Sequence, residues 1–153
     1  MSADQPALIR CSNCLTLNRI PESKLGSKIS CGNCKETLDI PRKPVYVKQD
    51  NFDRAVAHWA ETLLVEFVAP FCVYCKIFDP VVKKLAEERA GRLKVMQVDI
   101  ESDAYLAQRF KITKTPTFIV YRNGTELIRV DGPPKDKIDL VKWIDNLIKA
   151  PNV

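Results

Sequence analysis

All six cysteines of this 153-residue chain fall into Cys-x-x-Cys pairs: Cys11/Cys14, Cys31/Cys34 and Cys72/Cys75. Thiolates ligate metals and attack disulfides, so pairs at this spacing predict metal binding or redox chemistry rather than a disulfide framework. The first two pairs stand sixteen residues apart, the spacing of a zinc ribbon. Four thiolates make a closed tetrahedral Zn²⁺ site, and each x-x gap lets both sulfurs of one turn point at one metal. No further ligand type lies nearby, so Cys11, Cys14, Cys31 and Cys34 are expected to hold a structural zinc, with no organic cofactor. Two disulfides, or a second redox centre, are the alternatives. The third pair has different neighbours. It follows the apolar run Thr62–Val68 and precedes Ile77, Phe78, Val81, Val82, Leu85 and Ala86, which recur at helical spacing. A cysteine between a strand and its helix meets free backbone N–H groups and the positive end of the helix dipole, which stabilise its thiolate. Cys72 is therefore the expected nucleophile. Cys75, one turn in, is placed to resolve a mixed disulfide.

The elements that must position these pairs divide the chain by composition. Residues 1–40 are rich in Ser, Asn, Lys and Cys and contain no aromatic residue. They are read as a four-cysteine zinc module, too small to fold on an apolar core alone. Pro41-Arg-Lys-Pro44 reads as an extended linker. Residues 45–153 alternate strand and helix: a strand at Val45–Val47, a helix after Asp50 or Asn51, the buried strand Thr62–Val68 and a helix through Pro80 ending near Gly91. A strand at Leu93–Val98, a short helix at 103–110, a hairpin through Asn123-Gly124 and a closing helix carrying Ile138, Val141, Ile144 and Ile148 complete it. The order is that of an α/β protein with a mixed central sheet flanked by helices.

These residues carry a resemblance to the thioredoxin family. Ala69-Pro70 precedes the Cys72-Val73-Tyr74-Cys75 motif, Lys76 follows it, and Pro80 stands where the family kinks its helix. Thr115-Pro116-Thr117 resembles the family's cis-proline loop, and Gly124 and Gly132 match as well. The N-terminal cysteines with Asn18-Arg-Ile-Pro21 are similar to the zinc-binding extension of the second bacterial thioredoxin. The resemblance implies a thioredoxin fold preceded by a zinc-ribbon-like module. It implies protein-disulfide reduction by Cys72 and Cys75, with disulfide-containing protein substrates and an NADPH-dependent thioredoxin reductase as electron donor. Phe71, Val73, Tyr74, Thr115, Pro116 and Gly132 are then the expected substrate contacts. Glu66 occupies the place of the family's buried acid; its neighbours Leu64, Val65, Phe67 and Val68 argue for burial, a raised pKa and proton exchange with Cys75. The departures are also informative. Phe71 and Val68 replace the usual tryptophans, Val73-Tyr74 replaces Gly-Pro, and Gln97 stands where the family has a buried lysine. Because the intervening pair tunes the dithiol's potential, a less reducing protein is expected.

Other classes are less well supported. A disulfide isomerase or oxidase of the same fold remains open, as does a zinc-dependent redox sensor or binding module. The net charge of +5 is too small to predict nucleic-acid binding, and residues 1–44 offer no aromatic side chain to stack on bases. No apolar run could span a membrane, and residues 1–10 lack an export signal, so a cytoplasmic bacterial monomer is expected. His58, the lone histidine, reads as a surface residue of its helix.

Overall fold

The computed structural model describes residues 5–149; the outer ends of the spans 1–40 and 45–153 lie outside the described residues. The chain begins with a two-stranded antiparallel hairpin, β1 (Ala7–Arg10) and β2 (Leu17–Ile20). A second sheet of five strands follows: β3 (Val45–Tyr46), β4 (Thr62–Val68), β5 (Leu93–Asp99), β6 (Thr117–Arg122) and β7 (Thr125–Asp131). Their spatial order is β3-β5-β4-β6-β7. Strands β3, β5 and β4 run parallel, β6 runs antiparallel to β4, and β7 runs antiparallel to β6. The helices are α1 (Phe52–His58), α2 (Val73–Glu88), α3 (Ala104–Arg109) and α4 (Lys137–Lys149). Asn51 stands at the N-cap position of α1, its Oδ1 accepting from the Lys48 N–H rather than from the helix, and α2 continues through Pro80. The β6–β7 turn places Asn123 at φ 49° and Gly124 at φ 79°, the left-handed pair that a tight two-residue hairpin requires. No helix among the described residues is long and apolar enough to cross a membrane.

Strand β4 is the centre of the molecule. All seven of its residues are buried, because neighbouring strands cover both edges and helices cover both faces. Alternation sends Leu63, Val65 and Phe67 into one apolar cluster and Leu64 into the other. The first cluster packs under α1 and α3. The second packs under α2 and α4 through Phe78, Val82, Leu85, Leu140 and Ile144. Each Leu, Val or Phe buried this way stabilises the fold by roughly 1.5–3 kcal/mol.

The N-terminal segment carries two strands that its composition did not suggest. Ala7 and Ile9 are fully buried, and with Ile20, Leu25, Cys31 and Leu38 they join the same cluster as Phe52, Trp59, Leu63 and Met96. The module thus completes one face of the larger sheet's core. Polar contacts fix the join. The Leu8 N–H donates to Glu61 Oε2 at 2.7 Å, Arg10 Nε donates to the His58 carbonyl at 3.1 Å, and Arg42 Nη2 donates to the Leu25 carbonyl at 2.6 Å. His58, expected on the surface of its helix, lies there at the C-terminal end of α1, half-buried against this join with Nε2 3.5 Å from Ser12 Oγ. Gly91 marks the tightest approach. Its φ is +88°, and a Cβ there would lie 2.6 Å from Leu25 Cδ2. Gly91→Ala should therefore lower stability by about 1–3 kcal/mol, combining left-handed strain with displacement of Leu25. A fall in the urea midpoint, with faster amide exchange in residues 7–38, is the expected reading.

Candidate active site and four-cysteine cluster

Cys72 is the N-cap of α2, and Cys75 lies in its first turn. Their sulfurs form a disulfide, with the two Cα atoms 5.2 Å apart. The Cys75 N–H donates to Cys72 Sγ at 3.0 Å, so a free helix-end donor is aimed at this sulfur. Cys72 is half-buried and Cys75 is buried, which leaves the first sulfur the more accessible. Around them Phe71, Val73 and Tyr74 stand out into solvent, Phe71 at 86% exposure. Large exposed apolar side chains beside a reactive sulfur form a surface that an unfolded or apolar segment can cover.

Strand register brings the remaining expected residues to this end of the sheet. Phe67 of β4 pairs with Thr117 of β6, so the cis Thr115–Pro116 bond lies beside the segment that leads from β4 to Cys72. Thr117 pairs in turn with Asp131, which sets Gly132, at φ +88°, next to that loop. The Thr117 hydroxyl donates to the Lys114 carbonyl at 2.6 Å and closes the loop on itself.

Glu66 lies on the α2 side of β4, two residues from Leu64, and is 1% exposed. In register it faces Gln97 of β5 on one side and Phe118 of β6 on the other. Gln97 Nε2 donates to Glu66 Oε1 at 2.8 Å, while Oε2 has no hydrogen-bond partner among the described residues. Burial raises the Glu66 pKa to about 7; the Gln97 bond opposes this and the Asp79 charge adds to it. A cavity of about 300 Å³ runs alongside, lined by Tyr46, Cys75, Asp79 and Gln97 among others. Tyr46 and Asp79 were not anticipated from the sequence. Asp79 was discoverable, since it lies four residues after Cys75 on the same helix face. Tyr46 arrives only through the β3–β5 pairing with Gln97, which has no local signal.

The four N-terminal sulfurs all lie within 4.8 Å of one another. Cys11 Sγ is 3.6 Å from Cys34 Sγ, and Cys14 Sγ is 3.7 Å from Cys31 Sγ. A tetrahedral ZnS₄ centre with Zn–S of about 2.3 Å has an edge of about 3.8 Å, so the donor set fits zinc. Two similar turns build it. In each, the first cysteine's carbonyl accepts from a residue with left-handed φ, Leu15 at 65° and Lys35 at 70°. Each turn also supplies an asparagine to the other. Asn13 Nδ2 donates to Cys34 Sγ at 3.5 Å, and Asn33 Nδ2 donates to Cys14 Sγ at 3.6 Å. The backbone N–H groups of Asn13 and Asn33 donate to Cys11 and Cys31 at 3.4 Å, and Asn18 Nδ2 reaches Cys31 Sγ at 3.5 Å. Such donors offset thiolate charge, as a metal-bound set requires.

The raised Glu66 pKa carries a stability consequence. Between its unfolded value near 4.5 and about 7, the folded protein holds a proton that the unfolded chain has released. Stability therefore falls as pH rises through this window and levels off above it. In the oxidised protein, Glu66→Gln should gain on the order of 3 kcal/mol relative to the parent between pH 5 and pH 8. Urea unfolding at the two pH values measures this, and equal differences at both would exclude a raised Glu66 pKa.

Comparison with known proteins agrees with this arrangement. Residues 43–146 match the family model described as Thioredoxin, and residues 10–36 match the one described as Thioredoxin 2, N-terminal. Thioredoxin C-3 of Corynebacterium nephridii is 26% identical over 142 residues, covering 93% of this chain and 96% of that protein. Thioredoxin of Chlamydia trachomatis is 35% identical over 98 residues, covering 64% of this chain and 92% of that one. The solved structure of a mutant thioredoxin from Halobacterium salinarum superposes with a TM-score of 0.65 at 25% identity, over 74% of this chain and 98% of that one. With the Cys-x-x-Cys pair at the head of α2 and the four-cysteine cluster at the N-terminus, the chain belongs to the thioredoxin family and is a protein-disulfide reductase that works by thiol–disulfide exchange.

Proposed function

We propose that Cys72 is the attacking thiolate, Cys75 the resolving thiol and Glu66 the group that manages the Cys75 proton. The Cys72–Cys75 bond at the N-terminus of α2, with the Cys75 N–H aimed at Cys72 Sγ, carries this reading. Cys72 Sγ attacks one sulfur of a protein disulfide and the other leaves as a thiolate. Cys75 gives up its proton, attacks Cys72 Sγ and closes the intramolecular disulfide, so two electrons pass to the substrate. Phe71, Val73 and Tyr74 supply apolar contact. The backbone around Thr115 and Pro116 pairs with an extended substrate segment, and Gly132 leaves room beside it. An NADPH-dependent thioredoxin reductase is the proposed electron donor, and the protein acts as a cytoplasmic monomer with neither nucleic acid nor membrane as partner.

In the N-terminal module, Cys11, Cys14, Cys31 and Cys34 would hold a structural Zn²⁺, which ties two turns that have little core of their own. All four positions are taken by protein sulfur, so the site offers no open position for chemistry. The units proposed are residues 1–40 as the module, 41–44 as the linker and 45–153 as the redox domain, joined through one apolar cluster.

Two experiments test these roles. Reduced Cys75→Ser protein should accumulate a mixed disulfide with a disulfide-containing substrate such as insulin, whereas Cys72→Ser should form none and lose turnover by at least about 10³-fold. Trapping by the Cys72→Ser protein instead would reverse the assignment. Removing zinc with a chelator under reducing conditions should release one equivalent of metal and lower the melting temperature, because the module shares its core with the redox domain. Unchanged melting after complete release would show that the metal contributes nothing to the fold.

A further inference from the structure

The Glu66 carboxylate is held asymmetrically. Oε1 accepts from Gln97 Nε2 at 2.8 Å, and Oε2 is buried with no partner among the described residues. Gln97 is itself 5% exposed and forms part of the wall of the cavity that also reaches Cys75. We infer that Gln97 is a positioning residue for the resolving half of the reaction: its side-chain amide holds Oε1, so that Oε2 is the atom left to take the Cys75 proton. This deepens the proposed role of Glu66 and rests on it.

Three features favour positioning over simple packing. The only protein donor to the carboxylate among the described residues reaches one of its oxygens, so the two oxygens are inequivalent. The amide is also neutral. It orients the acid and favours its ionised form through one hydrogen bond, without the full charge that would hold the acid permanently ionised. The surroundings point the same way. From α2 come Cys75, Lys76 and Asp79, with Asp79 paired to Lys83 at 2.7 Å; from β3 comes Tyr46, which Asp99 also influences; from β5 comes Gln97; and β6 contributes the apolar Phe118. Asp79 opposes ionisation of Glu66, and Gln97 is the only donor to it among the described residues. The acid is thus balanced near neutrality by one hydrogen bond against burial and a nearby charge.

The resolving step then balances as follows. In the mixed disulfide, Cys75 Sγ passes its proton to Glu66 Oε2 and attacks Cys72 Sγ. The Cys72–substrate S–S bond breaks, the Cys72–Cys75 bond forms, and the substrate sulfur leaves with the electron pair. Glu66 returns the proton, directly or through solvent, to the departing thiolate. The dithiol is oxidised by two electrons and the substrate disulfide is reduced by two.

The test combines a titration with a rate. The Glu66 side-chain carboxyl is followed by ¹³C NMR in the oxidised protein, and single-turnover reduction of insulin by the pre-reduced protein is followed from pH 5.5 to pH 9. In Gln97→Leu the carboxyl midpoint should rise by about one pH unit, because the bond favouring the carboxylate is lost. The corresponding limb of the pH–rate profile should move with it. Gln97→Glu, close in shape but adding a second acid, should raise the midpoint further and serves if the leucine variant folds poorly. Glu66→Gln should abolish the limb. If Glu66→Gln leaves the limb in place, the proton role of Glu66 itself is wrong. If Glu66→Gln removes it while both Gln97 variants leave the carboxyl midpoint unmoved, or slow the reaction equally at every pH, Gln97 only fills space and the inference fails.

Discussion

Burial of β4 on both faces and both edges is the constraint on which the other features depend. A strand so placed must be apolar almost throughout, and its pairing registers are fixed because a one-residue slip would exchange its two faces. Those registers do the positioning. Pairing with β6 carries Thr115–Pro116 to the end where β4 feeds Cys72, and pairing with β5 sets Gln97 against Glu66. Glu66 is the one acid on a strand that otherwise excludes charge. Its unusual proton affinity follows from the same burial that stabilises the fold, so the chemistry and the core are two effects of one placement.

The chain sets the same functional group, the cysteine thiol, in two different surroundings. At the N-terminus each sulfur faces three others and meets N–H donors from its own turn or the opposite one, through Asn13, Asn33 and Asn18. That shell is closed and suits thiolates that stay put. At the head of α2, Cys72 has one backbone donor, a single partner sulfur and apolar neighbours open to solvent. That shell is incomplete, and an incomplete shell lets another sulfur approach. The spacing within each pair is the same; what differs is how many donors and sulfurs surround it.

What could be read from sequence was local, and what could not was set by distant partners. Thr62–Val68 was legible because seven apolar-dominated residues bounded by a Cys-x-x-Cys leave little alternative, and the β6–β7 turn was legible because Asn123-Gly124 specifies left-handed backbone. The Ala7–Arg10 strand was not. Its four residues carry too short a pattern, and their burial comes from docking on α1 and β4. The partial cover of His58 was not legible either, since the Ser12 hydroxyl beside its ring lies 46 residues away in sequence. Gln97 was recognised as occupying an unusual position, yet only the register of two parallel strands reveals that it donates to Glu66. The clustering of Cys11, Cys14, Cys31 and Cys34 was legible from spacing, while the exchange of asparagine donors between the two turns needed coordinates.

The join between the two parts limits how the module can act on the redox pair. Its hydrogen bonds reach Glu61 and His58, at the beginning of β4, whereas Cys72 follows the far end of that strand. Seven residues of extended chain separate these ends by about 20 Å. Direct electrostatic influence of the four-cysteine cluster on Cys72 is small over such a distance, because charges in partly solvated surroundings are screened within about 10 Å. Any coupling must therefore pass through packing: through Leu25 against Gly91, and through Ala7 and Ile9 within the core that also buries Leu63 and Val65. A tightly packed core responds to such a change mainly through stability and local opening rather than through graded displacement. The module thus packs as support for the start of β4, and the groups nearest Cys72 lie at the opposite end of that strand.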